Sequence, residues 1–389
     1  MEGIDFEKFF KIQTIGMKMA LCHPDTKHNA YWLLKSILIY GPYTLNFFFL
    51  CNSVLIDIRK HDYFNAFRNC VPVTIYICIV FEYIMLIKHR KTIGKLIKLM
   101  RDDFDKIPNL ETRSKRAIFK HINNSTWIMK NWLVLMFCSV WIFIIKGIIL
   151  SVYYAVKGEF RLVPFHDMYY TDYIDRNRDS NWLIFAGTYM MGINYTCCCT
   201  MIYLCALPLG PIFMLHVCGL LELIIIKFED VFEKDNVNER LIEIVKDLQY
   251  AYRFVADINT CFTFMYEVML KQTMILLPVI SYAIVKSIGR GEFTIEYITV
   301  FVAIISMSTP CYYSDKLMSK GEEVRQAAYA CGWERVFIPE ARKTLLIILT
   351  RALKPITIKS IFHNINLDTL ADVYRQAYTI FNLMSTMWN

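Results

Sequence analysis

Near the end of the chain, Asp372, Gln376, Thr379, Leu383 and Thr386 recur at spacings of four, three, four and three. On a helix that spacing puts all five on one face. Four are hydrophilic and Leu383 is not, whereas Ala377, Phe381, Met384 and Trp388 share a different, apolar face. A carboxylate, an amide and two hydroxyls in line can solvate water or ions, which lipid cannot. One bulky aliphatic residue in such a line can close a narrow path by dewetting. The stretch Asn364 to Asn389 exceeds the roughly 20 helical residues that a bilayer requires. The same pattern also fits an amphipathic helix in water, or a polar contact between helices.

No catalytic constellation accompanies it. The chain has no G-x-S-x-G, no phosphate-binding loop and no H-E-x-x-H. Seven histidines, at positions 23, 28, 61, 89, 121, 166 and 363, fall in loops or near the ends of apolar runs, and His216 lies beyond the fourth run. Thirteen cysteines are present, several inside apolar runs such as Cys197 to Cys199. No pair has zinc-site spacing, and a disulfide framework is not expected. The expectation is a protein that is not an enzyme and carries no cofactor or metal.

The elements that must position these residues are apolar. Of 389 residues 56% are hydrophobic and only 20% charged, with a mean hydropathy of +0.34. Several runs reach bilayer length, which soluble chains rarely carry. The first ten residues hold Glu2, Asp5 and Glu7 and no long apolar core, so they do not read as a signal peptide. Residues 4 to 20 read as an amphipathic helix for the membrane surface or the bundle. Spans are predicted at 31–55, 71–87, 132–154, 182–207, 262–286 and 294–313, with the terminal stretch as the seventh. Glu82 lies inside the second and must face protein. The fourth apolar pattern continues through Pro208, Gly210 and Pro211 to Ile226. Forty-odd helical residues would reach roughly 60 Å, twice the hydrocarbon core, so a kink near Pro208 and an extension beyond the membrane are predicted. A charged helix follows at 228–257. Segment 287–293, with Gly289 and Gly291, reads as a tight loop, segment 314–333 as polar, and 339–353 as an apolar helix stopped by Pro355.

Seven spans put the termini on opposite sides. The linker 88–131 holds twelve lysines or arginines against four carboxylates, and the positive-inside rule places it in the cytosol. The N-terminus is then cytosolic. The loop 155–181, with Asp167, Asp172, Asp175 and Asp179, is extracellular, as is the C-terminus. The sequons at Asn123-Asn124-Ser125-Thr126 and Asn194-Tyr195-Thr196 are read as unused. The fold class is an all-α membrane protein of seven transmembrane helices with a cytosolic helical region.

The C-terminal third adds a resemblance. Cys311 to Trp333, CYYSDKLMSKGEEVRQAAYACGW, resembles the end of the sixth span and the following loop in insect odorant receptors. It carries their A-A-Y-x-C-x-W pattern as Ala327, Ala328, Tyr329, Cys331 and Trp333. Arg342 to Pro355 is similar to the helix that follows in the family, and Ala377 to Met384, AYTIFNLM, to its terminal signature. Ala377-Tyr378-Thr379 stands where a Ser-Tyr-Ser form is frequent. The residue-level match covers the last 80 or so positions, while the spans fit the family over the whole chain.

The resemblance implies an odorant-specific subunit of a ligand-gated, non-selective cation channel in the plasma membrane of an olfactory neuron dendrite. It implies a heterotetramer with the co-receptor Orco, whose loop between spans four and five is much longer than 228–257 here. Four terminal helices would surround the pore, with Leu383 at the aliphatic position that closes it. The implied organisation is a cytosolic amphipathic segment (1–30), spans one to four with an outer binding region (31–207), a cytosolic extension (208–261) and spans five and six (262–313). Anchor helices (314–355) and the pore-lining helix (356–389) complete it. Apolar residues Leu345, Ile347 and Leu349 are expected on the assembly surface. The resemblance also places a dry ligand cavity in the outer halves of spans two, three, four and six, and a volatile, hydrophobic odorant needs such a cavity. The residues chosen for it are Val73, Tyr76 and Val80 on span two, and Gly147, Ser151 and Tyr154 on span three. On span four they are Phe185, Thr188, Tyr189 and Gly192, and on span six Phe301 and Ile304. Their aromatic richness points to an aromatic or heterocyclic odorant.

Three alternatives stand beside this. A gustatory-receptor-like channel shares the topology. A G-protein-coupled receptor would want a cysteine in 155–181, D-R-Y after span three and N-P-x-x-Y in span seven, and the chain has none at those places. A transporter would show internal repeats, and none is visible.

Overall fold

The computed structural model of the chain describes residues 5–158, 163–178, 180–232, 236–289, 296–335 and 337–387, and the backbone alone for 296–298. Asp179, Gly291, Val336 and Trp388 lie outside the described residues. Among the described residues the fold is all-α, without a named strand.

The N-terminal helix α1 (Phe6–Met19) is capped by the Asp5 side chain and buries Phe6, Phe9, Phe10 and Met17. Helix α2 (Ala30–Arg59) starts where the Asn29 side chain accepts from the Trp32 amide at 2.9 Å. Helices α3 (Tyr63–Lys88) and α4 (Arg90–Phe104) follow, then α5 (Thr112–Val156). The basic linker is therefore mostly helical. Its second half is the first five turns of α5, whose 45 residues run on into the third span. The sequon residues 123–126 lie inside α5, with Ser125 buried.

The short α6 (Asp172–Asn177) precedes α7 (Trp182–Ala206) and α8 (Leu209–Glu229). The break falls at Pro208, which cannot donate the amide that a continuing helix needs. Pro208 instead accepts from Ile212 at 3.0 Å and begins α8. Fourteen of the 21 residues of α8 are buried, so it is the central column of the lower bundle. Helix α9 (Val237–Gly289) joins the charged segment and the fifth span in 53 residues. Helix α10 (Glu296–Tyr329) continues the sixth span through most of segment 314–333, so that segment is helix rather than loop. Then come α11 (Pro339–Ala352) and α12 (Leu367–Met387).

These helices make seven spans, with α7 and α8 counted as one. α2, α3, α5, α7–α8 and α9 are long and apolar enough by themselves. α10 and α12 complete the set with more mixed composition, because their polar faces have to serve something other than lipid. Glu82 is fully buried, facing protein. On α11, Leu345 is buried and Leu349 packs against the core, whereas Leu346 and Ile347 are exposed. Of the three residues expected at a surface, only Ile347 lies on one, because helical spacing turns 345 and 349 onto the inner face together.

Candidate functional site

Two regions bring candidate residues together. The first is a cavity of about 150 Å³ between α3, α5, α7 and α10, partly covered by Phe165, His166 and Asp167 of the loop that follows α5. On α3 its wall is Arg68, Pro72 and Ile75, and on α5 it is Met136, Ser139, Phe143 and Lys146. On α7 it is Tyr195, Thr196, Cys199 and Tyr203, and on α10 Thr299 and Val302. The α5 set recurs at spacings of three and four, one stripe of that helix, whereas α3 and α7 present a wider face, with Asn69 and Val71 also in the wall of the one and Thr200 in that of the other.

The lid is built from a loop. Val163 donates its amide to Ser151 Oγ at 3.0 Å, and Tyr169 donates its amide to Ser53 Oγ at 2.7 Å. Arg68 pairs with Asp167 at 3.0 Å across the mouth. These ties drop Phe165 and His166 onto the cavity. The rings of Phe165 and His166 meet edge to face at 4.9 Å, and Phe143 and Tyr195 extend the cluster. Tyr195 donates its hydroxyl to the Pro72 carbonyl at 2.5 Å, fixing α7 to α3. Tyr203 accepts from Gln272 at 3.2 Å. The chamber is thus walled mainly by aromatic and apolar side chains, with Arg68, Lys146 and Asp167 as its charged groups.

None of the twelve residues chosen from the sequence lines this chamber. Most pack directly behind its wall. Gly147 is occupied by Tyr189: a Cβ there would stand 2.5 Å from its hydroxyl oxygen. Tyr189 donates to the Ile144 carbonyl at 2.8 Å and meets Phe165 edge to face at 5.4 Å. Gly192 is covered by Phe165, whose ring would lie 2.5 Å from a Cβ. Phe185 rests on Tyr189 at 5.8 Å between ring centroids, and the Thr188 hydroxyl turns back to the Phe185 carbonyl. Ser151 accepts from the lid, and the ring of Tyr154 meets that of its neighbour Tyr153 at 5.7 Å. Tyr76 stacks on Phe47 at 4.0 Å and donates to Thr44 at 3.0 Å, in a groove between α2 and α3 that it shares with Val80. Val73 packs on the core. Phe301 is 57% exposed and Ile304 36%, both turned away from the chamber.

The offset has a pattern. On α3 and α10 the chamber stripe is one or two residues away from the chosen one, a rotation of about 100° per residue. On α7 the chosen residues share the chamber's stripe, which lies one to two turns further along the helix. Sequence reasoning missed Phe165 and His166 altogether. The signal was present: Val163-Pro164-Phe165 and Met168 to Tyr170 are strongly apolar for an exposed loop.

The second region is α12. Leu370, Val373, Ala377 and Met384 are buried against α9 and α10. Tyr374 ties it to α10 through Ser308 at 2.8 Å. Asp372, Gln376, Thr379, Leu383 and Thr386 are all exposed on the other side. Arg375 pairs with Asp372 at 3.0 Å, and Thr379 and Thr386 bond back to their own helix. The start of the helix is held by Asn259, which accepts from Lys359 at 2.9 Å and donates to the Thr357 carbonyl at 3.1 Å. Asn366 caps it by accepting from Thr369 at 2.9 Å. Among the described residues no group of metal-ligating side chains comes together.

A family model described as 7tm Odorant receptor matches residues 64–378. A Drosophila melanogaster protein named "Putative odorant receptor 85d" is 31% identical over 90 residues, which is 23% of this chain and 22% of that protein. The match therefore spans about a fifth of that relative. The insect olfactory receptor OR5 from Machilis hrabei in complex with eugenol superimposes with a TM-score of 0.80 at 14% identity, over 99% of this chain and 100% of its own. A second structure of that receptor gives 0.79 at 13%, over 98% and 99%. At these identities the likeness carries the fold alone.

Proposed function

The chain belongs to the 7tm Odorant receptor family, and from that premise we propose that it is the odorant-binding subunit of a heteromeric, ligand-gated, non-selective cation channel. The ligand is a small volatile with an aromatic ring, and its site is the chamber that Phe165 partly covers. The observation that carries this reading is the chamber itself. An apolar cavity of about 150 Å³ accepts a benzene-sized molecule, and this one is of that volume with rings on several sides. The Machilis hrabei receptor was solved with eugenol, a likeness that supports an aromatic ligand here. Phe143, Tyr195 and Phe165 supply ring contacts, and Thr196, Ser139 and Tyr203 lie where a polar substituent would be oriented. Tyr189 and Gly192 act one layer back, by holding Phe165 in place.

The exposed stripe of α12 lines the ion path. Asp372, Gln376 and Thr379 solvate cations, Leu383 closes the path when the ring is narrow, and Thr386 faces the outer side. Four such helices are needed to surround a path, and the other subunits are Orco. Leu346 and Ile347 on α11, both exposed and apolar, meet them. Exposed apolar surface of this kind outside the membrane marks contacts. The N-terminus is cytosolic and the C-terminus extracellular, following the basic residues of 88–131, in the plasma membrane of an olfactory dendrite.

The test is expression with and without Orco while current is recorded during a panel of aromatic odorants. The expected result is odorant-evoked cation current only with both subunits. Current from this chain alone, or no odorant response with both at the surface, would overturn the reading.

A further inference from the structure

A groove of about 690 Å³ runs between α3 and α9 on the outside of the bundle. Phe81 and Ile84 on α3 and Thr263 and Phe264 on α9 wall its deeper end, where the rings of Phe81 and Phe264 stack at 4.9 Å. Ile84 and Phe264 are exposed within apolar spans, so the face they share is turned toward lipid. Lys88 and Asn259 line the other end. On α3 the apolar run stops at Ile87 and Lys88 follows, and on α9 the charged half gives way to the span near Phe262. Both helices thus cross the membrane boundary at this level, and the groove leads from the headgroups into the hydrocarbon. The seven residues from Phe81 to Lys88 cover about 10 Å of helix, against about 15 Å for one leaflet of the hydrocarbon core.

The mouth is positive, and its charges are unanswered. Lys88 is exposed and pairs with no carboxylate among the described residues, and the same holds for Lys91. Thr92 lies against Cys261, and Lys95 reaches Asp257 at 2.7 Å, so α4 descends along α9 away from the membrane. Lys91 and Lys95, four residues apart, share a helix face. Lys91 therefore stands beside α9 at the level of Cys261, next to the mouth. The nearby carboxylates of α9 are already taken, Asp257 by Lys95, and Glu267 by Lys271 at 3.6 Å and by the Phe362 amide at 3.4 Å. Lys359 brings a third exposed lysine to this end, its amide donating to Asn259 Oδ1 at 2.9 Å. An apolar trough that ends in unpaired ammoniums at the membrane surface matches the two parts of an anionic phospholipid.

We propose that this groove is a binding site for an anionic phospholipid of the bilayer, with an acyl chain along Phe81, Ile84 and Phe264 and the phosphate held by Lys88 and Lys91. So placed, the lipid bridges α3, α4 and α9 at the ends of two spans. The test uses the full chain in phosphatidylcholine nanodiscs. A trace of phosphatidylglycerol or of phosphatidylcholine is added, each with the same diazirine-bearing acyl chain, and attachment is mapped by mass spectrometry. Both leaflets carry the probe, so the readout does not depend on which way the chain faces. On wild-type protein the phosphatidylglycerol probe should label peptides holding 81–88 and 259–264 about fivefold more than the phosphatidylcholine probe, the factor that one lysine contributes at an anionic surface. The two probes should label equally at Trp141 and Ile145, exposed in the middle of the third span. Lys88→Gln with Lys91→Gln keeps the trough and removes the charges, so phosphatidylglycerol labelling of the groove should fall to the phosphatidylcholine level. If that variant fails to fold, the comparison of the two probes on wild-type protein still decides. No label in the groove, a probe ratio there no greater than at Trp141, or a preference that survives the double substitution would overturn the proposal.

Discussion

The chamber behind Phe165 and the bare stripe of α12 differ in how a helix declares its face. On α12 the two sides are chemically distinct: Val373, Ala377 and Met384 are buried, while Asp372, Gln376, Thr379, Leu383 and Thr386 are exposed. On α3 and α10 both sides of the span are apolar, since one meets lipid and the other protein. Phe301 and Val302 are neighbours of similar hydrophobicity, yet the first is 57% exposed and the second lines the chamber. A polar stripe inside a membrane thus fixes rotation, and a uniformly apolar span leaves it free.

If that contrast holds, charge on the exposed side of α11 should have the largest effect. Leu346→Glu with Ile347→Glu should leave the chain folded but abolish capture of Orco by co-precipitation, because the two residues are exposed in the single chain. Leu345→Glu should instead remove the protein from the membrane, since it buries a charge. Co-precipitation at wild-type level in the double variant would detach this face from assembly.

The next effect concerns Leu383. Replacement by Ser should raise basal current per surface-expressed complex severalfold, or change cation selectivity, and leave the odorant ranking unaltered. Unchanged basal current with lowered surface level would make Leu383 a packing residue and break the contrast on its better-defined side.

A smaller change should follow at the lid. Gly192→Val would push the Phe165 ring, which lies 2.5 Å from the Cβ position. Overpacking of that kind costs about 1–3 kcal/mol. Odorant sensitivity should fall by about tenfold, equivalent to ~1.4 kcal/mol, read from the dose–response curve. Sensitivity within twofold of wild type would separate the lid from the site. Tyr76→Ala should act least, shifting the ranking across odorants only slightly, because Tyr43 stands between it and Tyr195.

The fold was legible wherever length and punctuation spoke. The break at Pro208, the extension of the fourth helix and the helix after Pro339 follow from proline chemistry and from runs too long for a bilayer. The helical linker 88–131 was less legible. Its charges mask an apolar stripe, Ile93, Leu96, Met100 and Phe104, that packs inward. At the chamber, the residues chosen from the sequence lie on the same four spans as the cavity wall but on other faces or other turns of them. Phe165 and His166 escaped because a loop supplies them. Only its excess of apolar side chains betrays that it folds back on the protein.

The adjacent pair on α10 gives the most direct measurement of the central claim. Val302→Trp and Phe301→Trp add bulk one residue apart, the first into a chamber of about 150 Å³ and the second toward the exposed side. Odorant-evoked current per surface-expressed complex with Orco is compared for the two. The chamber account predicts loss of the response in Val302→Trp and a dose–response curve within twofold of wild type in Phe301→Trp. A wild-type response in Val302→Trp, or equal loss in both, would contradict it.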